Sequence, residues 1–193
     1  MILRTLMMAP VILALTSVQF GAAKPRSIDV QHSRLSIYVY KQGLFAFAGD
    51  NHDVDAPIVS GQFDQAGRSL QLTVDATRMR ALDPTLSPDR RAKVQANMMG
   101  PQVLDVSKYP TISFRSTSMS DSGSSHLTID GDLSLHGQTH PIVVQATKVD
   151  GNHFRGSTIV RQSQFGITPI RIAGGLVTVK DDVKVEFAIA LMP

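Results

Sequence analysis

Apolar and polar residues alternate along most of this chain, as they do in half-buried β-strands. The alternation is strictest in segments 69–77, 126–136 and 183–191. Less regular segments of the same kind span 33–42, 53–64, 111–119, 141–149 and 152–163. Short stretches with glycine, asparagine and aspartate separate them, as tight antiparallel hairpins require. The pattern predicts about eight antiparallel strands, which favours a sandwich or a barrel over a parallel sheet.

One segment departs from this period and predicts a helix from Pro88 to Met99. Ser87 is suited to capping its first turn, and proline at the first helical position has the fixed φ that a helix needs. Gly100 and Pro101 end it. A single helix between the strands of an all-β chain leaves two roles open. It is a plug or lid over a binding cavity, or it covers one end of the barrel.

The first 23 residues have the pattern of a secretory signal peptide. Arg4 is followed by an apolar run over 6–18 and then by small residues at Gly21 and Ala23. The apolar run is shorter than the roughly 20 residues needed to cross a bilayer. We therefore expect cleavage after Ala23, a periplasmic or secreted domain over 24–193, and no membrane span in the mature protein. An uncleaved anchor and a buried N-terminal helix are the alternatives.

Composition narrows the class of protein further. The chain has no cysteine, so neither disulfides nor a lipid-modified cysteine is available, and stability must come from packing and strand pairing. The segment after residue 23 is long enough for one domain with a substantial core. The formal net charge is only +3, without the clustered charge of a nucleic-acid-binding surface.

Three motifs follow one another in the second half of the chain. Residues 103–116 read VLDVSKYPTISFRS, 131–139 read GDLSLHGQT, and Phe165-Gly166-Ile167 precedes the last strand over 183–191. They resemble the LD-x-x-KYP-x-I-x-F-x-S signature, the G-D-L-T-L-x-G-x-T hairpin and the closing strands of the YceI-like family, which comprises lipocalin-like secreted proteins. The opening residues 28–33 fit the same pattern.

The resemblance implies an all-β fold, namely an eight-stranded antiparallel lipocalin-like barrel with one short inserted helix. It also implies non-catalytic binding of a polyisoprenoid or another amphiphilic lipid inside the barrel, with no cofactor. By analogy alone, the dimers of some relatives suggest a homodimer. The segment GDNHD at 49–53 resembles one branch of the family, whose ligand the resemblance does not supply.

Aromatic, aliphatic and methionine side chains are the candidate pocket residues, because apolar area is all that a carrier of a greasy chain needs. They are Phe45, Phe47, Met98, Met99, Ile112, Phe114 and Phe165. The alternative at each of these positions is ordinary core packing, which is the usual role of a single apolar strand residue.

Arg90 and Arg91, followed by Lys93, lie in the first half of the predicted helix. Arginine forms bidentate contacts with carboxylates and phosphates, so Arg90 and Arg91 are candidates for holding an anionic head group at the barrel mouth. The alternative is a solvated helix face, which is where charged helix residues usually lie.

Histidines offer an alternative function. His52 lies beside Asp50 and Asp53 and is the leading single metal candidate, for an enzyme or for metal sequestration. His136 and His140 flank a predicted turn. The chain has no HExxH motif and no G-x-S-x-G motif, so no particular enzyme class is indicated. A protein-interaction module is a third alternative.

Overall fold

The structure is a computed structural model that describes residues 24–43 and 51–193. Its strands are β1 (Arg26–Ser27), β2 (Arg34–Val39), β3 (Lys41–Gln42), β4 (His52–Asp55), β5 (Ile58–Asp64), β6 (Ser69–Asp75), β7 (Arg80–Ala81), β8 (Thr111–Asp121), β9 (His126–Leu135), β10 (Gln138–Lys148), β11 (His153–Arg161), β12 (Arg171–Ile172), β13 (Val177–Val179) and β14 (Asp182–Ala190). One α-helix, α1 (Pro88–Met99), lies between β7 and β8. The fold is therefore all-β with one inserted helix.

Eleven strands form one antiparallel sheet in the order β1-β5-β6-β8-β9-β10-β11-β14-β2-β4-β7. The sheet curls into a barrel because its two halves are joined. β4 continues into β5 through Ala56 and Pro57, which connects the β2 side of the sheet to the β6 side. The segment after β1 bridges β5 and the end of β14, since Ile28 pairs with Leu191 and its N–H donates to Gly61 O.

The long strands match the sequence-based expectation. β2, β4 with β5, β6, β8, β9, β10, β11 and β14 give eight positions around the barrel, so the lipocalin-like barrel with one short helix is confirmed. The strand count differs, because β1, β7, β12 and β13 were not expected and because β3, the end of the expected segment 33–42, is separate from β2. Each of these has only two or three residues, which is too short for an alternating pattern to show.

Alternation places one face of each long strand inside the barrel. β14 is the clearest case, with Val183, Val185, Phe187 and Ile189 all facing inward. One end of the barrel, which we call the sealed end, is closed by buried aromatic rings. Phe63 and Phe154 pack there with ring centroids 5.1 Å apart.

The β9–β10 hairpin has a two-residue turn formed by His136 and Gly137, with Leu135 paired to Gln138. Both turn residues have positive φ, 51° and 75°, as a type I′ turn requires. A Cβ at Gly137 would also lie 2.4 Å from Cε1 of Tyr109. Glycine is therefore required both by the backbone conformation and by the space available. The expected turn over 137–139 is displaced by one residue.

Helix α1 begins as the sequence predicts, with Oγ of Ser87 accepting a hydrogen bond from Arg90 N. It docks on β7, the last strand of the main sheet, through Gln95. The Gln95 amide accepts from Ala81 N at 2.8 Å and donates to Met79 O at 2.8 Å. The helix therefore covers a strand edge that would otherwise expose unpaired backbone groups. No described helix is long and apolar enough to cross a membrane.

The motif after the helix is structural. Asp105 is buried, has a φ of 43°, and its Oδ1 accepts from Ser107 Oγ at 2.9 Å. Its neighbour Leu104 points inward, and Tyr109 packs edge-on against His136 at 4.9 Å. The VLDVSKYP segment thus shapes the connection from the helix into β8 and fixes it to the β9–β10 turn.

Candidate functional site

The barrel encloses a cavity of about 210 Å³. Residues from β2, β4, β6, β8, β9, β10, β11 and β14 line it, with Met98 from α1. Its wall is almost entirely apolar. Among the lining residues only Ser113, Thr158 and Gln162 are polar, and Thr158 Oγ1 donates to Val143 O at 2.8 Å. Nothing on this wall requires a charged or strongly polar ligand segment.

The cavity follows the barrel lengthwise. All four inward residues of β14, from Val183 to Ile189, contribute to its wall. At roughly 3.3 Å per residue this is about 20 Å along the strand. A space that is this long for its volume is narrow, and its shape suits an extended chain better than a round ligand.

Many wall residues keep part of their surface accessible although they face the interior. Leu72, Leu133 and Phe187 are half-buried and line the cavity, whereas Ile129, which does not line it, is only 3% exposed. Close packing normally removes such gaps from a protein interior. The barrel therefore holds apolar surface that its own side chains do not cover.

The sequence-predicted pocket residues fall into three groups. Met98, Ile112 and Phe114 line the cavity. Phe165 is fully buried and packs against Val160 and Ile167, so it lies behind the wall rather than on it. Met99 is half-buried at the helix end and does not line the cavity.

The remaining two pocket candidates, Phe45 and Phe47, lie outside the described residues. The wall residues that the sequence analysis did not single out are mainly leucine, isoleucine and valine at alternating strand positions, such as Leu35, Leu133 and Val185. The same alternation marks a packed core and a cavity wall, so only the three-dimensional arrangement separates them.

Arg90 and Arg91 lie in the first turn of α1, the former exposed and the latter half-buried, and neither lines the cavity. The helix reaches the cavity through Met98, about 11 Å further along its axis at 1.5 Å per residue. The two arginines are thus on the helix that covers this part of the barrel, but away from its apolar wall.

His52 forms the closest contact between titratable groups near the cavity. Its Nδ1 lies 2.8 Å from Oδ2 of Asp83, and Asp83 Oδ1 accepts from Asp53 N at 2.9 Å. Asp83 is only 4% exposed. In the part of the chain that the structure describes, no three histidine, cysteine, aspartate or glutamate side chains are grouped as metal ligands. Asp50, the other neighbour of His52 in the metal hypothesis, lies outside that part.

Two further histidines pack around Phe165. Nδ1 of His136 lies 3.0 Å from Phe165 O, and the ring of His140 meets the Phe165 ring edge-on at 5.2 Å. His140 Nε2 lies 3.2 Å from Gln138 Oε1. These histidines therefore tie the β9–β10 hairpin to the segment after β11.

Curated relatives of similar length match most of the chain. A UPF0312 protein from Vibrio cholerae serotype O1 is 30% identical over 173 residues, which cover 83% of this chain and 87% of the relative. A UPF0312 protein from Azotobacter vinelandii is 28% identical over 171 residues, 80% of this chain and 84% of the relative.

Solved structures share the fold at low identity. BcnA from Burkholderia cenocepacia superposes with a TM-score of 0.62 at 20% identity, over 84% of this chain and 98% of that one. A polyisoprenoid binding domain from Saccharophagus degradans, implicated in plant cell wall breakdown, gives 0.59 at 13% identity, over 86% and 96%. The profile of the YceI-like domain matches residues 27–191. The chain belongs to the YceI-like family.

Proposed function

We propose that this protein binds a polyisoprenoid or another amphiphilic lipid inside its barrel, without catalysis. The observation that carries the proposal is the long cavity whose wall is apolar and incompletely packed. Filling it with a hydrocarbon chain removes apolar surface from water at roughly 25 cal/mol per Å². The fold shared with a polyisoprenoid binding domain supports the same class of ligand.

A lipid chain in this cavity has a measurable signature. Each methylene that becomes buried stabilises the complex by about 0.8 kcal/mol, or about fourfold in affinity. We expect affinity to rise with chain length in a homologous series and to level off once the chain is longer than the cavity. A cavity that merely reflects loose packing would give no such dependence.

The first experiment identifies the natural ligand. Protein purified from its native host without detergent is extracted with organic solvent, and the extract is analysed by mass spectrometry. We expect an amphiphilic lipid at close to one molecule per chain. Protein that arrives empty and binds no prenyl or acyl chain after delipidation would contradict the proposal.

Two adjacent residues on β10 provide matched variants. Ile142 lines the cavity, and Val143 points outward with 50% of its surface exposed. Ile142→Trp places a large ring in the cavity, so we expect at least tenfold weaker binding of a prenyl chain, measured by calorimetry on delipidated protein. Val143→Trp adds the same ring outside the barrel and should leave binding unchanged. Equal affinities for the two variants would argue against binding in this cavity.

We also propose that residues 1–23 direct export and are removed, which places the mature protein in the periplasm or outside the cell. The apolar run and the small residues before Lys24 support this. N-terminal sequencing of the protein from fractionated cells tests it. A mature chain that begins at Lys24 is expected, and an intact Met1 in the cytoplasmic fraction would contradict it.

A further inference from the structure

We propose that His52 accepts a hydrogen bond from the head group of the bound amphiphile, and so selects ligands whose head group carries a hydroxyl. The inference rests on the proposed function and specifies the polar end of the same site. It assigns to His52 a binding role that needs no metal ion.

His52 lies on the inner side of the barrel. His52 pairs with Val39 across the β2–β4 ladder, and directly opposed residues in an antiparallel pair share a face. Val39 lines the cavity, as does Val54 two residues further along β4. The side chain of His52 therefore leaves the sheet on the inner face, next to Val39. His52 is not itself on the cavity wall and lies just beyond it.

His52 also lies at the end of the cavity opposite to the sealed end. Val160 of β11 pairs with Val183 of β14 near the ends of these strands that lie away from the sealed end. Both residues line the cavity, as Val39 does. Gln162, one of the three polar wall residues, follows β11 at this same end. An amphiphile whose chain extends towards the sealed end would thus leave its head group near His52.

Asp83 orients the ring of His52. We take Nδ1 as the donor in its 2.8 Å contact with Oδ2 of Asp83, because a carboxylate can only accept hydrogen bonds. Asp83 is itself held in place by Asp53 N, which donates to its other oxygen at 2.9 Å. In a neutral imidazole with Nδ1 protonated, Nε2 is an acceptor. Asp83 is therefore a positioning residue for His52.

Nε2 is the nitrogen of the His52 ring on the side away from Asp83. No described residue forms a hydrogen bond with it, and the side chain of His52 keeps 22% of its surface exposed. A hydroxyl head group supplies the donor that this atom needs. A methyl ether of the same chain has no hydrogen to donate. When bound, it would shield Nε2 from water and leave this atom without a hydrogen bond.

Charge favours a hydroxyl over an anionic head group. The Asp83 side chain is 3% exposed, and its Oδ2 lies 2.8 Å from Nδ1 of His52. A carboxylate or phosphate at Nε2 would be repelled by the buried negative charge of Asp83 on the other side of the ring. The repulsion is strong because the protein interior has a low dielectric constant. The geometry points to alcohols and phenols as the head-group class.

The test uses farnesol and farnesyl methyl ether, in which a methyl group replaces the hydroxyl hydrogen. Calorimetric titration of delipidated wild-type protein should give a preference for the alcohol of roughly threefold to tenfold, the worth of one hydrogen bond. In His52→Leu we expect the ratio of the two affinities to fall to about one. The control His153→Leu removes a histidine at the sealed end, bonded to Asp150 at 2.9 Å, and should keep the wild-type ratio.

Further variants keep the test informative if His52→Leu folds poorly because Asp83 is left buried and unpaired. The double variant His52→Leu/Asp83→Leu removes both groups and should also give a ratio of about one. His52→Gln retains an acceptor in its amide oxygen and should preserve part of the preference for the alcohol, which a purely structural role of His52 would not require.

The outcomes separate this inference from the proposed function. Tight binding of both probes with equal affinity in the wild type would overturn the role of His52 and leave lipid binding intact. A preference for the alcohol that persists in both His52 variants lacking an acceptor would do the same. If neither probe, nor any longer prenyl chain, binds the wild-type protein, the proposed function fails and this inference with it.

Discussion

The two ends of the barrel are built differently. At the sealed end Phe63, Phe154 and Met119 are each no more than 8% exposed, and the chain is fastened there by Arg26, whose Nε donates to Met192 O at 3.0 Å. The opposite end, which we call the mouth, carries α1, β7 and the small sheet of β12, β13 and β3. Large apolar side chains are exposed at both ends, Leu82 at 51% here and Val149, just after β10, at 56% at the sealed end.

One end of the barrel is packed for stability, and the other is the end at which we expect the ligand to enter. Long side chains fill the sealed end and contribute stability, and Phe63, Phe154 and Met119 are not on the wall of the apolar cavity. The mouth has short elements held by individual hydrogen bonds, such as those of Gln95. We therefore expect substitutions at the sealed end to reduce global stability, and substitutions at the mouth to change local opening and ligand binding.

The largest effect is expected from Phe154→Ala at the sealed end. Removing a buried ring from its contact with Phe63 should lower the free energy of unfolding by about 3–5 kcal/mol. Urea unfolding followed by circular dichroism measures it. Leu176→Ala, at a mouth position with 45% exposure, is the control and should shift stability by no more than about 0.5 kcal/mol. Similar losses for the two variants would remove the contrast between the ends.

An intermediate effect is expected from Gln95→Leu at the mouth. The substitution leaves Ala81 N and Met79 O without their partners, at a cost of about 1–3 kcal/mol. Because the contact belongs to α1 and β7, hydrogen exchange should accelerate mainly in these two elements. Gln102→Leu, at an exposed position after the helix, should leave exchange unchanged. Uniformly faster exchange across the barrel would show that the mouth is not a local unit.

The smallest effect concerns pH and the sealed end. A hydrogen bond with His32 lowers the pKa of Asp29, and hydrogen bonds from Asn152 N and with His153 lower that of Asp150. Such groups stabilise the fold above their ordinary pKa of 3.8, and this contribution is lost as the pH falls through their lowered values.

The Asp150 carboxylate is exposed and that of Asp29 is half-buried beside an exposed His32, so the stability change is small and screened by salt. The urea concentration at the midpoint of unfolding should fall as the pH drops below about 4. We expect this fall to be smaller in the double variant Asp29→Asn/Asp150→Asn than in the wild type. Asp132→Asn, which removes an exposed carboxylate from β9, is the control. A fall that is the same in the double variant and the wild type would exclude these pairs as its source.

The fold could be predicted from the sequence because its main determinants are local. Alternation identified the eight long strands, and Ser87, Pro88 and Gly100 identified the ends of the helix. The short strand β7 was missed because its two residues are held by β4 and by Gln95, both distant in sequence.

The site was predictable only in part. Phe114 and Phe165 look alike in the sequence, and both are buried, yet the first lines the cavity and the second is packed behind its wall with no exposed surface. The contact of His52 with Asp83 joins residues 31 positions apart, through β7, and no spacing motif marks it. Which residues meet across a barrel depends on its register, and the local pattern does not contain that information.

The position of β14 between β11 and β2 makes the protein sensitive to the loss of this strand. The last long strand pairs with both neighbours, and its contact with β2 joins Lys184 to Tyr38. A molecule that loses β14 to proteolysis or early termination therefore exposes two unpaired strand edges at once. Such edges recruit other chains. Damage confined to nine residues would convert a closed barrel into a species prone to aggregation.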